Sequence, residues 1–328
     1  RPPDASPTLT AAGDRLYARL GPALVRSPGV LKGARAEDET AIVCLGPTED
    51  GSGMKELWRV RPPAGEGKIP AVWEGAPLVA GRRMWAAYAR FEGGRVVHGV
   101  ACYDPATMPD GPTWVADVTD GAIGAEADGR PRQDLLTLAG RNVVFCTNAG
   151  AVVALDAATG RRAWAFRYPR SRRGDLARSP DPSPAAYAAG RVFVAPADGD
   201  RVYALDPETG APLWPAGSGP TEGAQILGVS ADRLIVTVTG PVRGIRGLDV
   251  RTGSHAGPGG WVQHDGGGLS GYGRGFVTDD VIVWPTRAGL LFLRPDDGTL
   301  LRPPFHGPYS PYFGHLAYAD GVLVVATP

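Results

Sequence analysis

Short runs of apolar residues, often alternating with polar ones, are broken every few positions by Gly, Asp, Asn or Pro along nearly the whole chain. Such runs read as strands, and the breaks as turns. One pattern, two apolar runs around a small turn, occurs seven times: AAGDRLYARL (11–20), VAGRRMWAAY (79–88), LAGRNVVFCT (138–147), AAGRVFVAPA (188–197), SADRLIVTVT (230–239), TDDVIVWPTR (278–287) and YADGVLVVAT (318–327). Each predicts a short hairpin, here called strands a and b. A second pattern supplies strands c and d at 41–60, 99–118, 151–166, 201–214, 245–258 and 290–304, six copies in all.

The second pattern is a repeat at the level of residues. AVVALDAATGRRAW (151–164) and RVYALDPETGAPLW (201–214) share Val152/Val202, Ala154/Ala204, Leu155/Leu205, Asp156/Asp206, Thr159/Thr209, Gly160/Gly210 and Trp164/Trp214; IRGLDVRTGSH (245–255) is a third copy. Each shared residue has a physical task. Asp accepts hydrogen bonds from backbone N–H groups of the turn, Gly supplies positive φ, and Trp packs its large ring between layers. Trp58, Trp114, Trp164, Trp214 and Trp261 are therefore expected to be largely buried.

Four-stranded antiparallel units at a period of about 40–50 residues, with no helical segment between them, predict an all-β single β-propeller. A pair of β-sandwiches is the other all-β option, but leaves the recurring L-D-x-x-T-G unexplained. The expected blades are approximately 8–60, 70–118, 134–168, 184–216, 224–261 and 273–304, with a half-blade at 314–328. Seven blades are expected and eight is the alternative. An unpaired apolar strand at 322–327 is an aggregation hazard, so completion of the half-blade is expected from residues outside this chain or from a partner.

Composition narrows the function classes. Across 328 residues Lys plus Arg equal Asp plus Glu at 34 each, and no basic run stands out, which argues against a nucleic-acid partner. No stretch reaches the roughly 18–20 apolar residues of a membrane span, so no transmembrane segment is expected. Cys44, Cys102 and Cys146 each lie in an apolar run without C-x-x-C spacing, and are expected to be buried free thiols.

The A-L-D-x-x-T-G-x-x-x-W run, complete in two copies and degenerate in four, resembles the repeat of the PQQ-like (quinoprotein/BamB-type) β-propeller family. The resemblance implies the propeller fold for nearly the whole chain. It is weak for function, since the repeated Trp and Gly join blades in catalytic and non-catalytic members alike. Quinoprotein members place a quinone and Ca²⁺ against an adjacent Cys–Cys pair; this chain has no adjacent cysteines and no matching Glu, Asn and Asp set, so no cofactor, metal or catalytic residue is assigned. Nor do His98, His255, His264, His306 and His315 show H-E-x-x-H spacing, and no G-x-S-x-G occurs. The glycine-rich run 264–275 reads either as an anion cradle or as a blade connection.

The a–b and c–d turns are short, whereas the d–a connections 119–134, 167–183, 262–273 and 305–314 and the b–c connection 21–40 are long. Long loops on a rigid scaffold are where binding residues gather. Two groups stand out as candidate partner-binding residues. Arg167, Arg170, Arg172, Arg173 and Arg178 suit an acidic partner or are solvated loop charges. Tyr272, Phe305, His306, Tyr309, Tyr312, Phe313 and His315, with His264 nearby in sequence, form either an exposed contact patch or rings packed inward. The expected function is a non-catalytic scaffold that binds protein partners, or other domains of a longer polypeptide, through the long-loop face, in a bacterial periplasmic or extracytoplasmic setting. The alternative is an enzyme or small-ligand binder that uses the central channel.

Overall fold

The computed structural model describes residues 9–21, 40–64, 71–108, 111–122, 135–170, 183–199, 201–220, 224–238, 244–255, 260–264, 273–286, 289–306, 314, 316–319 and 322–325. Its elements are all strands, and they fall into two compact units, Arg1–Tyr168 and Pro169–Pro328. In both units the strands pair antiparallel, and every sheet but the second is a meander that follows the order of the sequence.

In the first unit, β1 (Leu9–Ala12), β2 (Arg15–Leu20), β3 (Ala41–Pro47) and β4 (Met54–Val60) make one sheet. The third sheet repeats this with β10 (Leu136–Ala139), β11 (Asn142–Cys146), β12 (Ala151–Asp156) and β13 (Arg162–Arg167). Between them in sequence, β5 (Ala71–Trp73), β6 (Leu78–Ala80), β7 (Arg83–Glu92), β8 (Arg95–Tyr103) and β9 (Trp114–Ala122) form a five-stranded sheet. The extra strand arises because β5 and β6 both pair with β7, as one first strand interrupted at 74–77.

The second sheet is apolar on both faces. Met84, Ala86 and Tyr88 of β7 pack with Tyr17, Ile42 and Cys44 of the first sheet. The intervening Trp85 and Ala87 pack with Val143, Phe145, Val153 and Leu155 of the third. Side chains alternate across a strand, so a strand covered on both faces must be apolar at every position, and Met84–Ala89 is buried throughout.

The second unit holds β14 (Ala186–Ala188), β15 (Arg191–Val194) and β16 (Tyr203–Leu205); then β17 (Ala224–Ser230), β18 (Arg233–Val238), β19 (Gly244–Asp249) and β20 (Trp261–His264); then β21 (Phe276–Val277), β22 (Ile282–Thr286) and β23 (Gly289–Leu293); and the pair β24 (Leu316–Ala319) and β25 (Val322–Val325). Where a fourth strand is missing, isolated bridges stand in for it: Leu205 to Pro212, and Leu290 to Phe305 with Leu293 to Leu300. Pro212, Pro303 and Pro304 lack an N–H, which limits these last segments to partial ladders.

The repeat residues do what their chemistry predicts. Asp206 Oδ1 accepts from the N–H groups of Glu208 and Thr209 at 3.0 and 2.8 Å and from Thr209 Oγ1 at 2.9 Å. Asp156 and Asp249 close the same turn in their own sheets. Gly160, Gly210, Gly253 and Gly298 have φ between 70 and 73°, a left-handed conformation that glycine adopts freely. That glycine also admits a tryptophan from the preceding sheet: Gly160 faces Trp114, Gly253 faces Trp214 and Gly298 faces Trp261, each too closely for a Cβ.

Burial of the tryptophans is less uniform than the repeat suggests. Trp164, Trp214 and Trp261 are buried, whereas Trp58 and Trp114 are only half-buried. Trp214 and Trp261 donate their indole N–H to the Val250 and Pro295 carbonyls at 2.9 and 2.7 Å. At the corresponding position of the third sheet the Ala157 carbonyl is taken by Trp85, at 3.1 Å, and the Trp114 N–H is left without a hydrogen bond.

Candidate functional site

Of the arginine group, Arg167 is exposed at the end of β13 and Arg170 is exposed at the start of the second unit. Arg170 forms an isolated bridge with Gly199, and its Nε donates to Asp198 at 2.9 Å. A half-exposed pair of this kind contributes little to stability, but it fixes the guanidinium's position. Arg172, Arg173 and Arg178 lie outside the described residues.

Of the aromatic and histidine group, His264 ends β20 and His306 is exposed directly after the Phe305 bridge. Tyr272, Tyr309, Tyr312, Phe313 and His315 lie outside the described residues. The chain leading to His306 exposes three apolar side chains, where the outer strands β4 and β9 expose Met54 with Leu57 and Val115. Leu300, Leu301 and Phe305 are 50, 45 and 46 % exposed, and Arg302 stacks on the Phe292 ring 3.5 Å from its centroid. The Phe305 N–H and carbonyl both bond to Leu290, which holds its backbone at a fixed place on the edge. The corresponding strand β13 exposes no large apolar side chain.

A polar cluster not anticipated from the sequence lies inside the first unit. His98 of β8 and Glu74, in the interruption of the second sheet's first strand, are fully buried and meet at 2.8 Å through His98 Nδ1. Arg19, at the end of β2, is also buried; burial lowers its pKa, and the charge of Glu74 opposes that shift. Its guanidinium donates to the Gly21 carbonyl at 3.1 Å, and Thr40 Oγ1 accepts the Trp73 N–H at 2.8 Å. A charged residue at 74 is the signal in the sequence, because it interrupts an otherwise apolar strand. With His98 and Glu74 closed to solvent, the cluster ties two sheets together rather than meeting a substrate.

A second network lies on the rim of the same sheet. Arg90 grips Asp117 in a two-point ion pair with both contacts at 2.6 Å, reaches Glu92 at 2.8 Å, and Tyr88 donates its hydroxyl to Asp117 at 2.6 Å. The Arg90 hydrogen bond holds the Asp117 carboxyl below the ordinary carboxylate range, and burial raises the Tyr88 pKa. These groups are mutually satisfied, which suits a structural clamp.

Cys44, Cys102 and Cys146 are buried free thiols; burial pushes Cys102 up to about 11, far from a reactive thiolate. Among the described residues no group of three or more His, Cys, Asp or Glu is placed to hold a metal ion.

Residues 148–302 match the family model described as outer membrane protein assembly factor BamB. BamB from Moraxella catarrhalis is a similar solved structure, 15 % identical, with 97 % of this chain and 92 % of that chain covered and a TM-score of 0.47. The C-terminal WD40 domain of Sif2 is 11 % identical over 88 % of this chain and 68 % of that one, with a TM-score of 0.47. Quinohemoprotein alcohol dehydrogenase from Comamonas testosteroni is 12 % identical over 97 % of this chain but 62 % of its own, with a TM-score of 0.52. No curated protein sequence matches the chain. At these identities the structural likeness concerns the fold alone.

Proposed function

We propose that this chain, a PQQ-like repeat protein of the all-β propeller fold class, is a non-catalytic scaffold that holds protein partners through the side bearing its long connections. The observation that carries this reading is the edge from Leu300 to His306. Its apolar side chains are half exposed on a backbone pinned to β23, the arrangement of an anchor that rewards burial by another protein. Arg167 and Arg170, with Arg172, Arg173 and Arg178, supply positive charge for an acidic rim on the partner. His264, Tyr272, Tyr309, Tyr312 and His315 extend the apolar and histidine contacts. An extracytoplasmic setting accords with the matched family's description as an outer membrane protein assembly factor.

Three tagged proteins test this in the source cells: the native chain, the pair Leu301→Ser with Phe305→Ser, and Met54→Ser on the outer strand of the first sheet. The native chain and Met54→Ser are expected to retain the same discrete partners, which the paired variant loses. Equal retention by all three overturns the assignment to this edge.

A further inference from the structure

Within the second unit the first strands of consecutive sheets, β14, β17 and β21, lie next to one another, and β24 continues the row. The Leu316 N–H donates to the Arg274 carbonyl at 2.9 Å, and the Tyr318 ring stacks on Phe276 of β21 with centroids 5.5 Å apart. β24 and β25 therefore stand as strands a and b of a further sheet. Among the described residues that sheet has no third strand, so β25, Val322–Val325, presents an apolar edge. A two-stranded ribbon is marginal by itself, and its open edge is a template for pairing.

The sheet before it is unfinished in a matching way. Trp214 and Trp261 each reach the next sheet, where they meet a turn glycine, Gly253 or Gly298, and donate to a turn carbonyl, Val250 or Pro295. In Gly160–Trp164 and Gly210–Trp214 the tryptophan falls four residues after the turn glycine; counted from Gly298, that position is Arg302. Arg302 is exposed, lies over Phe292 of its own sheet and makes no ion pair with a described residue. Leu300, Leu301 and Phe305 around it are half exposed. By the repeat, a c–d hairpin paired to β25 would lie over this segment, as the segment carrying Gly298 lies against Trp261 of β20.

We propose that this place receives a β-hairpin of a partner protein, one strand of which adds antiparallel to β25 while the hairpin covers Leu300, Leu301 and Phe305. The inference rests on the scaffold reading above and names the element that the partner contributes. It continues the interface between successive sheets by one step: Arg302 donates to a turn carbonyl of the incoming hairpin, where earlier sheets use an indole N–H. Main-chain pairing along β25 supplies affinity, and the apolar side chains of the neighbouring edge supply specificity. A second copy of this chain is not the occupant, because its described c–d segments are already paired in their own sheets.

The test places a photoreactive residue at Val322 in one protein and at Leu301 in another, both exposed positions, and maps the adducts formed in the source cells by mass spectrometry. Both are expected to join the same partner protein, at sites within one segment of about 20 residues, the span of two strands and their turn. A partner adduct at 301 with none at 322, or adducts to two different proteins, overturns the hairpin and leaves the Leu300–His306 edge as the binding surface. An adduct from 322 to this chain's own polypeptide overturns the partner as its source. No partner adduct at either position overturns the scaffold reading together with this inference.

Discussion

Trp214 presses against Gly253: a Cβ at Gly253 would lie 2.6 Å from the indole ring, while the indole N–H donates to Val250 three residues earlier at 2.9 Å. One side chain thus joins two consecutive sheets by shape and by hydrogen bond. Gly253→Ala faces both a steric conflict and a left-handed backbone, φ 73°. Gly190, at φ 67°, has nothing within 4 Å of its Cβ position, so Gly190→Ala incurs only the backbone cost of about 1–2 kcal/mol. Denaturant titration is expected to show Gly253→Ala less stable than Gly190→Ala by about 1–3 kcal/mol, the usual cost of overpacking. Trp214→Ala is expected to lose about 3–5 kcal/mol.

Trp114 provides the contrast. Its indole N–H has no hydrogen bond, because Trp85 occupies the Ala157 carbonyl. Replacement by Phe removes a hydrogen bond in Trp214 and Trp261 but none in Trp114. Trp214→Phe is therefore expected to cost about 1 kcal/mol more than Trp114→Phe in the same titration. Equal losses would mean that the indole bond contributes nothing to joining the sheets.

Acid should weaken the repeat turns. Backbone and hydroxyl hydrogen bonds from Thr209 lower the Asp206 pKa from 3.8, and the Thr159 hydroxyl followed by its backbone N–H does the same for Asp156. Depressed folded-state values mean that the unfolded chain binds more protons just below the ordinary aspartate range. The contribution is thus fully present above pH 3.8 and is lost as pH falls through the folded values. Asp206→Asn keeps an acceptor for the turn but cannot titrate, and its unfolding midpoint is expected to fall less steeply with acid than that of the native chain.

Glu74, His98 and Arg19 are sealed between sheets, so removing one partner strands the others. Glu74→Ala is expected to cost about 3–5 kcal/mol by thermal or denaturant unfolding. A loss close to that of an ordinary surface substitution would show that the cluster is not a structural tie.

These residues also mark where the sequence stops being readable. The strands were legible because sheets covered on both faces need unbroken apolar runs, as in Met84–Ala89, and because D-x-x-T-G encodes a turn closed by its own side chains. The divided first strand of the second sheet was not legible: Glu74 reads as a loop residue until His98 and Arg19, distant in sequence, are seen to surround it. The half-burial of Trp58 and Trp114 also escaped the repeat, since exposure depends on the neighbouring sheet. In the sixth sheet Arg294 stands where the repeat has Asp, and Asp297 supplies the turn acceptor instead, bonding Thr299 at 2.9 Å. Of the candidate site, the arginine residues and the aromatic ones, Phe305 among them, were chosen by loop length and composition, whereas the exposed edge at Leu300 and Leu301 required the strand pairing to be known.

The most direct measurement of the central claim is site-specific photocrosslinking in the source cells, with a photoreactive residue placed at His306 and, in a parallel protein, at Ser52 in the exposed turn between β3 and β4. The scaffold reading predicts discrete higher-mass protein adducts from position 306 and none of the same mass from position 52. No adduct at 306, or the same adducts from both positions, would contradict a protein-binding surface on the long-connection side.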